Sequence, residues 1–422
     1  MEVSQRSTDG AGGAQGGSTA LIAVACGAVV LILVGLVVLV IVWLKPDDKL
    51  RIYSSLPLQG PQAKQAEDMV NAMKLALKQA KGKAGEFEIE YISRDDSTQA
   101  GTFTDATVAK NALDAATDPL GVGYIGDFNS GATAVAIPIL SVAKVPQISP
   151  ASTATGLTVR GESSDPGEPG SHYYHGYRNF VRIVPHDTVQ ADALARLMKG
   201  EHCSAVAMVN DGGVYGRRLA RDMRGAVKRV KLRMPFDKTI GTRERRLPAL
   251  AATKPSDCFL YSGATTDRAV RFFTAMAEAL PDARLYGPDG LSETAFTDGQ
   301  QGGIPAKVAE RTTLTVPALG RDDYGPLGAR FYEDYEREYD DASPEVYAIY
   351  AYEAMSLLLD AIERSGSGKR QDIVTALRTT RIRDSALGKY SIDSNGDTTR
   401  RDYGVYEIKN GRPMFVRAID TR

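Results

Sequence analysis

The sequence predicts an α/β protein of mostly parallel sheets covered by helices on both faces, preceded by one membrane-spanning helix. Three observations carry this. From Leu50 onward, short apolar runs alternate with amphipathic segments almost without exception, the pattern of strands interleaved with covering helices. The two kinds of segment have different periods: Phe87, Ile89 and Tyr91 alternate with Glu88 and Glu90, whereas Met69, Met73, Ala76, Leu77 and Ala80 recur at helical spacing. Ahead of them, Thr19 to Leu44 is apolar and uncharged, roughly 26 residues or about 39 Å of helix, which is enough to cross a bilayer.

The 422 residues exceed one ordinary domain, and 51 basic side chains almost cancel 52 acidic ones. A net charge of -1 gives no electrostatic footprint for nucleic acid. Residues 1–18, rich in Gly, Ala, Ser and Gln, read as a disordered tail. The span at 19–44 reads as a retained anchor, because Trp43, Lys45 and Pro46 close it where a cleavable signal would carry small residues. Cys26 lies near the start of the apolar run and so reads as a membrane-buried thiol, not a lipidation site. Arg6 before the span and Lys45, Lys49 and Arg51 after it run against the positive-inside tendency, which a short tail expresses weakly. Cys203 and Cys258 each open a predicted strand, and neighbouring strands would bring them together, either as a disulfide or as two buried thiols.

Further strands are expected at Val122 to Ile125, Val145 to Ile148, Phe180 to Ile183, Cys203 to Val209, Asp257 to Tyr261, Arg284 to Gly287 and Thr312 to Val316, with helices between them. Arg160 to Arg178 breaks the alternation with Gly, Ser, Pro and acidic residues and reads as an inserted loop. Near the C-terminus, Asn395-Gly396 and Asn410-Gly411 are hairpin turns, placing strands at Tyr390 to Ile392, Tyr403 to Ile408 and Met414 to Val416.

Four stretches together carry a resemblance. They are Tyr124-Ile-Gly-Asp-Phe-Asn-Ser130-Gly-Ala-Thr133, Val145-Pro-Gln-Ile-Ser149-Pro-Ala-Ser-Thr153, Val209-Asn-Asp-Gly-Gly-Val-Tyr215-Gly216 and Tyr286-Gly-Pro-Asp289-Gly290. In this order, and over Leu50 to the C-terminus, the sequence resembles the leucine/isoleucine/valine-binding family of type I periplasmic binding proteins, the receptors of ABC importers. The resemblance implies two lobes joined by three chain crossings, with lobe 1 at 49–185 plus 317–389 and lobe 2 at 186–316 plus 390–422. It implies an extracytoplasmic solute-binding protein that delivers an amino acid or a relative to an ABC permease, without catalytic residues, cofactor or metal. The alternative is a ligand-sensing ectodomain acting with a membrane signalling partner; the tail is too short for an output domain of its own.

Each of the four motifs follows a predicted strand, where ligands bind in open parallel sheets. Ser130 opens a helix, so its hydroxyl and free N–H groups suit an anionic carboxylate, and Thr153, beside Ser152, suits the same task. By resemblance, the Ala151 carbonyl and the Asp289 carboxylate would receive the ligand's ammonium, and Tyr215 would close over it. Taken singly these residues have bland readings: Ser130 as an N-cap, Thr153 and Ser149 as turn residues, Asp289 in a Gly-Pro-Asp-Gly turn. Gln65 and Ala264 stand where the family's aliphatic amino-acid binders carry aromatic walls, so the side-chain pocket differs and branched-chain ligands are not implied.

Other motifs lead nowhere. Gly121-Val-Gly123-Tyr-Ile-Gly126 fits a dinucleotide fingerprint but lies inside a predicted strand, and Gly366-Ser-Gly368-Lys369 lacks the first glycine of a phosphate loop because position 363 is Glu. His172 and His175 sit in the insert without a third ligand and read as a solvated loop. The Asp393 to Asp397 turn lacks the spaced ligands of a calcium loop.

Overall fold

The computed structural model describes residues 49–98, 102–241, 244–419 and 421. The tail and the span expected at 19–44 lie outside the described residues; among these, no helix is long and apolar enough to cross a membrane.

Two sheets organise the chain. The first holds β1 (Lys49–Leu56), β2 (Lys83–Ala84), β3 (Phe87–Asp95), β4 (Gly121–Gly126), β5 (Gln147–Ser149) and β6 (Phe180–Arg182), in the order β2-β3-β1-β4-β5-β6. All neighbours run parallel except β2 and β3. The second holds β7 (Ala205–Asn210), β8 (Arg233–Thr239), β9 (Cys258–Ser262), β10 (Arg284–Gly287), β11 (Thr312–Val316), β12 (Tyr403–Lys409) and β13 (Arg412–Ile419). Its order is β13-β12-β11-β10-β9-β7-β8, parallel throughout except that β12 pairs antiparallel with both β11 and β13. Strands β4 and β7 are buried along their whole length, as expected of parallel strands covered on both faces.

The chain leaves the first sheet after β6, builds β7 to β11, and then returns. The helix Ala348–Ser365 packs on Ala63–Gln79 and on β4, and Arg370 donates to the carbonyls of Gly121, Ala116 and Asp118. A Cβ on Gly123 would lie 2.6 Å from Leu358 Cδ2, so a larger residue there would force the Leu358 side chain to shift. Gly123, the centre of the run that mimics a dinucleotide motif, thus packs against this helix. The chain then passes back for β12 and β13.

One expectation fails here, and one strand was not expected. Tyr390 to Ile392 is not a strand; Tyr390 and Ile392 form only isolated bridges, to Arg383 and Thr398. The Asp393 to Asp397 turn instead docks on β6, where the fully buried Arg182 pairs through Nε with Asp397 Oδ1 at 2.7 Å. Strand β8 escapes sequence reading because it is the edge of its sheet: Arg233, Pro235, Lys238 and Thr239 are exposed, so no apolar alternation marks it, and proline is tolerated there.

Cys203 and Cys258 form a disulfide with Cα atoms 6.0 Å apart, just before β7 and at the start of β9. It closes a chain separation of 55 residues, for which loop entropy gives about 4 kcal/mol of stabilisation. Replacing both cysteines by serine should therefore lower the denaturant midpoint of the oxidised protein to that of the reduced one. Equal midpoints for all three forms would contradict this.

Candidate functional site

Ser130, Ala151, Tyr215, Ala264 and Asp289 all lie just beyond the carboxyl ends of β4, β5, β7, β9 and β10. Parallel pairing aligns these ends within each sheet, and a narrow cavity of about 30 Å³ opens where they meet. From the first sheet come Phe128, Ser130, Ala151 and Thr153, with Tyr347 from the returning segment; from the second come Tyr215, Ala264, Asp289 and Gly290. A wider cavity of about 130 Å³ shares Asn129, Ser130, Tyr215 and Ala264 and runs on past Gln62, Phe103 and Thr265.

The first-sheet wall is built by side chains that use up the loop's other polar groups. Ser149 Oγ accepts from the N–H groups of Ala151 and Ser152 at 3.2 and 2.8 Å, and donates to the Asp127 carbonyl at 2.9 Å. Ser130 Oγ accepts from the Ala154 N–H at 3.2 Å, and the Asp187 N–H donates to the Thr153 carbonyl at 2.8 Å. Arg182 Nη1 donates to the carbonyls of Ser152 and Ala154. Among the described residues, the Ala151 carbonyl, the Thr153 N–H and the buried Asn129 Oδ1 on this wall have no protein partner. The Ser130 hydroxyl proton remains as well. Ser130 is the first residue of the helix Ser130–Val142, with Asn129 in the cap position that the sequence suggested for Ser130. The first N–H groups of such a helix have no partner within it.

On the opposite wall, Asp289 is buried and doubly bonded. Tyr215 donates its hydroxyl to Asp289 Oδ1 at 2.6 Å, and Tyr347 donates to Oδ2. Gln190 Oε1 lies 3.2 Å from the Tyr215 hydroxyl. Burial raises the Asp289 carboxyl above its usual range, although the two hydroxyls and Gln190 pull it back. The cavity thus presents donors on one wall and a carboxylate on the other, the complement of a zwitterion.

Gln65 and Ser152, expected in the site, fall elsewhere, and His172 is not in a solvated loop. Gln65 lines neither cavity: its Nε2 donates to Glu293 Oε1 at 3.2 Å, deep in the protein, and Gln62, one turn earlier, faces the wider cavity. Ser152 turns its hydroxyl to the Asp127 and Phe128 carbonyls and to Thr133, so it braces the loop and takes no part in the cavity wall. His172 is buried with Nε2 2.9 Å from Glu168, and only His175 is exposed. Among the described residues no group of three or more His, Cys, Asp or Glu is placed to hold a metal. Tyr347 was not anticipated, because it opens a helix far along the chain and carries no local motif. Asn129 was within reach as the neighbour of Ser130.

The sequence profile of the family described as "Periplasmic binding protein" matches residues 50–413. The chain belongs to the periplasmic binding protein family. Periplasmic binding proteins of this kind are the solute-binding components of transporters and not enzymes. The chain is 25% identical to a Leu/Ile/Val-binding protein of Rhizobium johnstonii, over 84% of this chain and 90% of that one. It is also 25% identical to a leucine-specific-binding protein of Salmonella typhimurium, over 89% and 95% of the two chains. Among solved structures, a leucine-binding protein of Thermotoga maritima superposes with a TM-score of 0.74 at 21% identity, covering 88% of this chain and 98% of that one. A solute-binding protein of R. palustris in complex with benzoate gives 0.71 at 18% identity, over 88% and 96% of the chains. These likenesses establish the two-lobed α/β fold of periplasmic binding proteins.

Proposed function

We propose that this periplasmic binding protein is a membrane-anchored, extracytoplasmic receptor that captures an amino acid, or a close relative, between two lobes and hands it to an ABC permease. The observation that carries the reading is the narrow cavity, whose walls bring Ser130, Ala151 and Thr153 from the first sheet together with Tyr215 and Asp289 from the second. The ligand's carboxylate sits against Ser130 and Thr153, and its ammonium lies between the Ala151 carbonyl and Asp289, under the Tyr215 ring. The lobes are residues 49–185 with 317–389 and residues 186–316 with 390–422, and the ligand favours their closed arrangement.

The relatives named for leucine, isoleucine and valine support an amino-acid head group. The side-chain end differs. Ala264 provides no aromatic wall, and Gln62, Thr265 and Asn129 face the wider cavity, so a polar side chain fits better than a branched aliphatic one. The Cys203–Cys258 disulfide suits an oxidising compartment, and the apolar stretch 19–44 supplies the anchor.

A thermal-shift screen of residues 47–422 against amino acids, amides, sugars and purines tests this. A ligand at about one hundred times its dissociation constant adds about 2.7 kcal/mol, so a polar amino acid is expected to raise the melting temperature by several degrees. A rise with a sugar or purine alone would overturn the ligand class.

A further inference from the structure

The insert at 160–178 is left without a role by the ligand-binding reading. Its rear is rooted on the first sheet: Tyr173 is buried beside Phe180 and Ile137 and donates its hydroxyl to the Leu157 carbonyl at 2.7 Å. Its front reaches the helix Val214–Arg229, which packs on the second sheet. Arg218 Nη2 lies 2.5 Å from Glu168 Oε1 and 3.1 Å from Asp165 Oδ2. Arg221 Nη1 lies 2.7 Å from Asp165 Oδ1, and Ser163 donates to Asp222 Oδ2 at 2.8 Å. The inner part of the joint is dry, with Ser163, Glu168, Arg218 and Asp222 at 0, 6, 5 and 4% exposed, while the Arg221 and Asp165 side chains at its rim are 37 and 41% exposed.

Tyr215, Arg218 and Asp222 are spaced by three and four residues, so they form one stripe on one helix face. The first member of the stripe is bonded to Asp289 at the cavity, and the other two are gripped by the insert. The buried Arg218–Glu168 pair is costly to open, because parting the two leaves charges in a poorly solvated place.

We propose that residues 162–168 and Arg218 form a clasp: the insert, rooted on the first sheet, grips the helix that begins beside Tyr215 and holds that ring over the cavity. Arg218 and Glu168 are positioning residues acting through Tyr215, and they slow ligand release without choosing the ligand. This rests on the reading of the cavity as the ligand site.

Hydrogen exchange followed by mass spectrometry on the full chain, with no ligand added, tests the clasp. In Arg218→Ala and in Glu168→Gln, peptides covering residues 162–168 and 213–222 are expected to exchange at least roughly tenfold faster. Arg218→Lys should return them toward the parent rate, and strands β7 and β9 should be unmoved in all three. Unchanged exchange in Arg218→Ala overturns the proposal, and so does equal acceleration in β7 and β9, which marks general loosening. Because no ligand is added, a failed amino-acid screen leaves this result standing, and a failed clasp leaves the amino-acid reading standing.

Discussion

Asp289→Ala is expected to abolish amino-acid binding while the protein still folds. Truncating one partner of a buried, hydrogen-bonded charge pair typically costs about 2–5 kcal/mol of binding, or roughly 30-fold to several thousand-fold in affinity. The folded protein loses less, since Tyr215 keeps Gln190 within reach and the removed carboxyl was itself held against burial. Thr153→Ala should weaken binding far less, because the Thr153 N–H survives the change and only the hydroxyl is lost. Titration calorimetry with whichever amino acid stabilises the parent, beside a denaturant melt, separates the two effects. Parent-like affinity in Asp289→Ala would remove the carboxylate from the head-group site.

Glu293→Gln is expected to flatten the dependence of stability on pH. Glu293 is buried and accepts from Gln65 and Thr265. Burial, with added repulsion from Glu345 and Asp289, pushes its carboxyl up to about 8 from 4.5. The folded protein therefore holds a proton that the unfolded chain has released between about pH 4.5 and 8. Stability must fall as pH rises through that window, by about 1.4 kcal/mol per unit for one such group. Glutamine mimics the protonated acid, so the variant should match the parent near pH 5 and exceed it by a few kcal/mol near pH 8. Urea midpoints at the two pH values check this, and parallel profiles for parent and variant would refute it.

What could be read in advance follows from which forces are local. Buried parallel strands such as β4 and β7 announce themselves as apolar runs, and the strand-then-loop order places Ser130, Ala151, Thr153, Tyr215 and Asp289 at sheet ends, while Ala264 is legible only by resemblance. Edge strand β8 is exposed and charged, so burial leaves no trace in its sequence. Gln65 shows a different limit: its position on a helix was legible, but its partner Glu293 is 228 residues away. An amide at a wall position gives no sign of whether it faces a cavity or a hidden acid. The insert was equally opaque, since Arg218 and Glu168 look like ordinary surface charges until the fold brings them together. Tyr347 needed the returning segment to be placed first.

Tyr347 changes how affinity should be reckoned. Its hydroxyl reaches Asp289 from the far side of the gap, so the carboxylate already has two internal donors. An amine arriving at the proposed site would enter an exchange and would not fill an idle acceptor: a neutral donor would be traded for a charged one, and only the difference between them would count toward binding. A ligand with a hydroxyl or amide in place of the ammonium would gain almost nothing from that trade. If the proposed head-group site holds, competition from Tyr347 would favour a charged amine over uncharged look-alikes.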